Sequence, residues 1–402
     1  MEDATASKRK RVLRLISRLV IGGPAHNVCH LSAGLSGSNF TTWLVHGRPA
    51  GGERSFVELA NTLGIKPIYL DSMRRKPGGR DVAALFAISG LIRQIRPHIV
   101  HTHTAKAGLL GRIGAQLHRS RGNWRPCLVH TFHGHVFDGY FGGFASRAVV
   151  ASERMLARVT DAIIAVSESV RREIVDVYQI APSHKVRVIP LGFDFSWVNR
   201  LDENRGWLRQ RLGVGRDTIL VGCVGRLVDI KNHDLCLRAF QRATQSTCWK
   251  AKLILFGDGE LRNHLQALAR DLGIAENIHF HGWEIDQAKI YSDLDLTCLT
   301  SRNEGTPVAL IESLAAGVPV VATAVGGVCD VVCHSRDGEL TSSGDMEDVA
   351  AALLHVARHG LRIDSSRSKC ICARYSVKRL VLETVELYNE LLREKHRNCR
   401  GS

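Results

Sequence analysis

Short apolar runs rich in valine and isoleucine alternate with helix-period stretches through both halves of this chain, and that alternation restricts the fold more than any other feature. In the first half the runs are Val12–Ile16, Trp43–Val45, Pro67–Leu70, Ile99–His101, Leu128–Phe132, Ala162–Val166 and Val186–Ile189. Helical stretches at Val82–Ile95, Ala107–Leu117, Ala145–Ala157 and Glu168–Tyr178 separate most of the later ones. The second half repeats the pattern, with strands at Thr218–Val224, Leu253–Phe256, Ile278–His281, Leu294–Leu299 and Pro319–Ala322. Its helices fall near His233–Thr244, Glu260–Leu272, Val308–Ala316 and Met346–His359. Strands that alternate with helices of this length assemble into a parallel sheet covered on both faces. The prediction is an α/β protein of two doubly wound, Rossmann-like domains, residues 1–190 and 191–375, followed by a separate segment, 376–402. Within that segment Ser376 to Glu394 reads as one amphipathic helix. Val377, Leu380, Val381, Thr384, Val385, Tyr388, Leu391 and Leu392 recur at steps of three and four, and Ser376 suits the N-cap.

Composition closes off other classes. The 402 residues are 45% hydrophobic and 23% charged, which excludes a disordered chain, a collagen-like fibre and a small disulfide scaffold. No stretch approaches the roughly eighteen apolar residues of a membrane-spanning helix. Arg11, Arg14 and Arg18 interrupt the place where a secretory signal would have its apolar core, so a cytoplasmic location is expected. Of eleven cysteines, Cys127, Cys223 and Cys298 sit in strand-like runs and read as small buried hydrophobes. Cys329 with Cys333, and Cys370 with Cys372, each offer half a metal site and lack the second half; no metal is expected. Charge is lopsided. Residues 1–190 hold 27 Lys and Arg against 12 Asp and Glu, while 191–402 hold 27 of each. The net +15 therefore belongs to the first half, where it attracts polyphosphates, acidic head groups or nucleic acid, unless it is a basic surface with no specific partner.

In doubly wound sheets, ligands bind beyond the carboxyl ends of the strands, where helix N-termini present unpaired N–H groups. Gly22-Gly23-Pro24, with His26 close by, follows the first strand. Two glycines let the backbone approach an anion, and Pro24 fits a helix start; the same residues also make an ordinary tight turn. The turn is not a GxGxxG fingerprint, and no GxxxxGK[ST] loop exists, which disfavours P-loop phosphate transfer. After the first strand of the second half, Gly225-Arg226 and Lys231 put two cations near one strand end: a diphosphate clamp, or two solvated side chains. The strongest signal runs from Ser301-Arg302-Asn303-Glu304-Gly305-Thr306-Pro307 through Ile311-Glu312 to Gly317-Val318-Pro319. Pro307 at or near the first helical position leaves the N–H groups of Gly305 and Thr306 for an anion. Glu312 sits in an otherwise apolar helix, where its carboxylate needs partners; sugar hydroxyls would serve, and so would a structural neighbour.

In combination and in this order, these residues resemble the retaining nucleotide-sugar glycosyltransferases of family 4. The resemblance covers nearly the whole chain: GGPAH at 22–26, HTHTAKAG at 101–108, HTFHGH at 130–135, VSESVRREI at 166–174, VIPLGFD at 188–194, GRLVDIKNHD at 225–234 and FGDGEL at 256–261. Its most specific element is the Glu-x7-Glu motif, SRNEGTPVALIESLAAGVPVVAT at 301–323. The resemblance implies the GT-B fold, in which two such domains face a cleft, the second holds most of the donor, and the helix from Ser376 crosses back to the first. Residue by residue, it implies Arg226 and Lys231 on the donor diphosphate and Glu304 facing the donor sugar. Gly305 and Thr306 would lie near phosphates and sugar, and Glu312 on the ribose hydroxyls. It further implies His133 beside the transferred sugar, Gly22 and Gly23 beside the diphosphate and acceptor, and Glu284 in the base-contacting loop. His101, His103 and Lys106 are candidates for the acceptor side, with a structural role at the strand end as the alternative.

The implied reaction moves a hexose or N-acetylhexosamine from a nucleotide-sugar donor, most often a UDP-sugar, to a glycan or polyisoprenyl-linked acceptor. Anomeric configuration is retained, no metal or other cofactor is implied, and the context is polysaccharide or cell-envelope glycan synthesis. The usual retaining scheme needs two carboxylates about 5 Å apart. The first domain offers no clear nucleophile, since Asp138 reads as a loop residue. A same-face transfer, in which the departing phosphate oxygen takes the acceptor proton, is the expectation. Basic clusters at Arg74-Arg75-Lys76, at Arg119, Arg121 and Arg125, and at Arg147, Arg154 and Arg158 beside the aromatic stretch Phe137–Phe141 suit peripheral contact with the inner face of an anionic membrane. A packed helix at Ala145–Ala157 with a solvated basic face is the alternative. Two other classes compete: a sugar-nucleotide epimerase of the same fold, and a basic nucleic-acid-binding module. The Glu-x7-Glu motif with its Gly-Arg…Lys pair favours transfer, and nucleic-acid-binding signatures are absent, so nucleic acid is not an expected partner.

Overall fold

The computed structural model describes residues 9–20, 22–49, 55–74, 78–119, 124–134, 143–245, 249–334, 336–342, 344–360 and 362–398. Contacts divide the chain into two units, Met1–Phe193 with Tyr375–Ser402, and Asp194–Arg374.

The first unit is built on seven parallel strands: β1 (Lys10–Ile16), β2 (Phe40–Gly47), β3 (Ile68–Leu70), β4 (Ile99–His103), β5 (Cys127–Phe132), β6 (Ala162–Ala165) and β7 (Val186–Val188). Their order is β3-β2-β1-β4-β5-β6-β7. Order reverses between β1 and β4, and crevices that hold ligands open at such switch points. Leu15 pairs with Thr102 and Ile16 with His103 there. Every residue of β4 and β5 is buried, because helices cover both faces of the sheet. On one face, Val12, Leu31, Ile99, Val129 and Ile164 make a core with Leu380, Leu387, Tyr388 and Leu392 of helix Val377–Asn398. That helix is the expected amphipathic one. Ser376 caps it, its hydroxyl accepting from Arg379 N at 3.2 Å, and it lies on the first unit as the resemblance implied. A Cβ on Gly34 would come within 2.4 Å of Val381 Cγ2, which measures how closely the helix is seated.

The second unit carries six parallel strands: β8 (Ile219–Val224), β9 (Ala251–Phe256), β10 (Ile278–Gly282), β11 (Leu296–Leu299), β12 (Val320–Thr323) and β13 (Gly338–Thr341). Their order is β10-β9-β8-β11-β12-β13, the same winding, with its switch point between β8 and β11. β13 has no counterpart among the strands expected from sequence. Its four residues, Gly-Glu-Leu-Thr, lack an apolar pattern, and it is held at the sheet edge by register with Val320–Thr323. Cys127, Cys223 and Cys298 are buried. Among the described residues no helix is long and apolar enough to cross a membrane, and no group of three His, Cys, Asp or Glu is placed to hold a metal ion.

Candidate active site

At the switch point of the second sheet, the loop after β8 carries Arg226 and Lys231, and the loop after β11 carries Glu304, Gly305 and Thr306. The two loops are stitched together: Arg302 N donates to Ile230 O at 2.9 Å, and Thr300 Oγ1 donates to Asn232 O at 2.9 Å. Lys231 Nζ donates to Glu304 Oε1 at 2.5 Å, and Ser301 Oγ donates to the same oxygen at 2.6 Å. A single carboxylate oxygen thus gathers two donors, while the Glu304 side chain keeps only 10% of its exposure. Arg226 is exposed, and among the described residues its guanidinium has no acceptor. The N–H groups of Gly305 and Thr306 likewise lack an acceptor among the described residues, and Thr306 Oγ1 is buried without a hydrogen-bond partner. These donors lie on two joined loops where strand ends meet a helix start, a position suited to an anion.

Pro307 is the N-cap of helix Val308–Ala315 and not its first residue; Leu310 N and Ile311 N both return to Pro307 O. The one-residue shift leaves Gly305 and Thr306 outside the helix, so their donors stay unspent. Gly327 supports the loop from behind, a residue that sequence reading did not single out. Its N–H donates to Glu304 O at 2.8 Å, and a Cβ there would sit 2.2 Å from Gly305 O. Only glycine permits that approach.

Glu312 lies one residue past the middle of the same helix. As a residue it is partly exposed, but its carboxyl group is enclosed, and burial pushes its pKa up to about 7. Tyr291 Oη donates to Glu312 Oε2 at 3.0 Å, and Gln287 also hydrogen-bonds the carboxyl; both oppose the shift. Tyr291, buried and stacked on Trp197 at 5.7 Å between ring centroids, is a rigid support. Neither Tyr291 nor Gln287 is legible as a partner in the sequence, because both come from a short helix, Gln287–Tyr291, more than twenty residues upstream. Glu284 lies in the loop that leads to that helix. Its Oε1 accepts from Ile285 N at 2.8 Å and Asp286 N at 3.0 Å, so one oxygen shapes its own turn.

In the first unit the carboxyl ends of β4 and β5 bring histidines together. His103 Nδ1 and His133 Nε2 are 2.9 Å apart, one donating and the other accepting, and the far nitrogens, His103 Nε2 and His133 Nδ1, are buried without partners. Burial lowers the pKa of His133 to about 3 and holds those of His101, His103 and His130 well below the usual range, so all four are neutral. His101 has both nitrogens occupied, Nδ1 by Tyr388 Oη at 2.6 Å and Nε2 by Thr131 Oγ1 at 2.7 Å, and is fully buried. Lys106 is paired with Asp81 at 2.7 Å. Between them Thr104, a β-branched residue, is held at φ 67°. That conformation carries strain of the kind that collects at functional sites. Gly22 is the N-cap of helix Gly23–Ser36, with Pro24 in its first turn as expected, and Ala25 N and His26 N return to Gly22 O. Lys76, Arg75, Arg121 and the stretch 137–141 with Asp138 lie outside the described residues.

Two family models match the chain: Glycosyltransferase Family 4 over residues 21–197 and Glycosyl transferases group 1 over residues 205–371. The chain belongs to the family-4 glycosyltransferases. The gap between the two matches, residues 198–204, lies a few residues past the start of the second unit at Asp194. Among relatives, this glycosyltransferase is 28% identical over 280 residues to the UDP-Gal:alpha-D-GlcNAc-diphosphoundecaprenol alpha-1,3-galactosyltransferase of Escherichia coli, covering 69% of this chain and 70% of that one. It is 30% identical over 304 residues to the D-inositol 3-phosphate glycosyltransferase of Thermomonospora curvata, covering 66% of each. Its fold matches that of Anabaena Alr3699/HepE in complex with UDP and glucose, with a TM-score of 0.77 and 20% identity over 95% of this chain and all of that one. That likeness bears on the architecture, which is GT-B.

Proposed function

We propose that this glycosyltransferase takes a hexose or N-acetylhexosamine from a UDP-sugar and transfers it, with retention, to a polyisoprenyl-diphosphate-linked or related glycan at the inner face of an anionic membrane. The observation that carries the donor half is the cluster at the β8/β11 switch point. Arg226 and the Gly305 and Thr306 N–H groups are unspent donors, and Lys231 is held beside them by Glu304. Such preorganised donors stabilise negative charge as it develops on a departing diphosphate. Glu304, oriented by Lys231 and Ser301, faces the donor sugar, and Glu312 accepts from the ribose. His133, neutral and fixed by His103, offers Nδ1 to a hydroxyl of the substrate. The E. coli relative, whose name specifies a UDP-galactose donor and a diphosphoundecaprenol-linked acceptor, supports UDP and a lipid-linked acceptor; the basic first half supports an anionic one.

The test is a melting-temperature panel with UDP, GDP, ADP and TDP. A ligand at about 100 times its Kd adds roughly 2.7 kcal/mol of stability. UDP is expected to raise the melting temperature and to lose that effect in Glu312→Ala. A shift with another nucleotide alone would overturn the donor assignment. Turnover of a UDP-sugar to a new sugar nucleotide without any acceptor would favour the epimerase instead.

A further inference from the structure

Among the described residues, half of the large apolar side chains left exposed are on three successive helices of the first unit. On Arg80–Ile95 they are Val82 (58% exposed) and Phe86 (70%); on Ala105–Arg119, Leu109, Ile113 and Leu117 (36–45%); on Gly143–Val159, Met155 (68%). Their spacing is helical, 82/86 and 109/113/117, so each set forms an outward stripe. The three helices are locked side by side. Asp81 pairs with Lys106 at 2.7 Å, Ser89 Oγ lies 2.9 Å from His118 Nε2, and Gly114 lets Ile88 and Ile92 close in. Since 81 faces 106 and 89 faces 118, the first two helices run parallel, and Phe86 lies level with the Leu109–Ile113 turns. Arg112 and Glu153, both buried, join the second helix to the third through two hydrogen bonds of 2.7 and 2.9 Å. The stripes therefore make one surface.

The charge on this surface is one-sided. The three helices contain two acidic residues, Asp81 and Glu153, and both are consumed by the pairs just described. Arg93, Arg147, Arg154 and Arg158 are exposed beside the apolar stripes. Exposed apolar side chains grouped on one surface mark an interaction site, and a border on which the arginines outnumber the acids, with the nearby Asp71 engaged by Arg48, Arg74 and Arg80, matches a negatively charged partner. A second copy of the chain is a poor occupant, since a two-fold contact would set the arginines against themselves. The surface also begins at the first turns of helices that follow β3 and β4, on the same edge as His103 and His133. A lipid-linked acceptor anchored under it would have its head group delivered to that edge.

We propose that the outward face of these three helices is the membrane-docking surface of this glycosyltransferase, inserting Val82, Phe86, Leu109, Ile113, Leu117 and Met155 below anionic head groups. Apolar insertion flanked by basic residues is how monotopic proteins hold an interface. The proposal rests on the lipid-linked reading of the acceptor and adds to it which residues enter the bilayer.

The test compares co-sedimentation of the full chain with phosphatidylcholine vesicles and with vesicles containing about 30% phosphatidylglycerol. Wild-type protein is expected to bind the anionic vesicles. Phe86→Glu/Ile113→Glu should lower the partition coefficient at least about tenfold, while Leu382→Glu, at an exposed apolar site on the C-terminal helix, should not. The UDP-induced melting shift, which reports on the second unit, and transfer to a short-chain water-soluble acceptor should survive in both variants. Equal vesicle binding by the double variant would overturn the assignment of this face while leaving membrane association standing. Failure of wild-type protein to bind either vesicle would overturn both, and normal transfer to the soluble acceptor would still leave the enzymatic reading intact. A concentration-dependent dimer that the double variant abolishes would assign the face to a second copy and overturn the proposal.

Discussion

Tyr388 Oη lies 2.6 Å from His101 Nδ1 and receives a hydrogen bond from Arg14 Nη2 at 3.2 Å. A guanidinium can only donate, so the Tyr388 oxygen accepts from Arg14 and donates its own O–H to His101 Nδ1. His101 is then protonated on Nε2 and donates to Thr131 Oγ1. At the other end Arg14 Nη1 donates to Ser32 Oγ at 2.5 Å, which donates in turn to Val28 O at 2.7 Å. A fully buried arginine is thus solvated by hydroxyls, with no carboxylate among its hydrogen-bond partners in the described residues. Tyr388→Phe keeps the ring but leaves Arg14 and His101 each one partner short. The expected cost is about 1–3 kcal/mol, read as a lower urea midpoint. An unchanged midpoint would mean the network adds nothing to stability.

Acid should weaken the first unit. Burial lowers the pKa of His26 to about 4 and that of His133 to about 3, and holds His101, His103 and His130 well down. Below the ordinary histidine value near 6.5 the unfolded chain takes up protons that the folded chain refuses. Stability is therefore lost as pH falls from about 6.5 toward those depressed values. Scanning calorimetry at pH 7.5 and 5.5 should show the first unit melting earlier at the lower pH, and a flat profile would contradict the burial of these rings.

Glu312 has the opposite sign. Its folded pKa, raised to about 7, means that between about 4.5 and 7 the unfolded chain releases a proton the folded chain keeps, so stability falls as pH rises through that window and levels off above it. The full effect is about 3 kcal/mol. Glu312→Gln should gain stability relative to wild type between pH 5 and pH 8, while losing the UDP-induced shift. A difference that does not vary with pH would show that the carboxyl is solvated.

Lys231→Ala removes a cation from the diphosphate position and takes from Glu304 Oε1 one of the two donors, Lys231 and Ser301, that hold it. Turnover should fall about 100- to 1,000-fold, the loss expected for one preorganised donor at a developing charge. Arg226→Ala, at an exposed side chain, should produce a similar loss of turnover without changing the melting temperature. Near-normal steady-state rates in either variant would remove the clamp from the mechanism.

The alternation of strand and helix was readable because buried parallel strands are continuous apolar runs, and the loops after β8 and β11 were readable because their residues are contiguous. What escaped had no local pattern. β13 is polar and is held by its neighbour; Tyr291 and Gln287 reach Glu312 from a separate segment; Gly327 matters through the backbone it allows close. His101 and His103 show a different limit. In a strand covered on both faces, parity does not separate an inward histidine from one at the site edge. His101 is closed on both nitrogens, while His103, two residues on and with its ring 4.2 Å away, reaches His133.

Helix Val377–Asn398 completes the core of a unit that the chain left at Phe193. During synthesis the seven-stranded sheet emerges without Leu380, Leu387, Tyr388 and Leu392, and Arg14 waits beneath an open face. About 180 residues of the second unit must be translated first. At some 5–20 residues per second that interval is on the order of 10–40 s, long enough for most domain-sized folding. The first unit therefore stays incomplete while the whole of the second is made, and it can reach its final form only after Leu392 has been added.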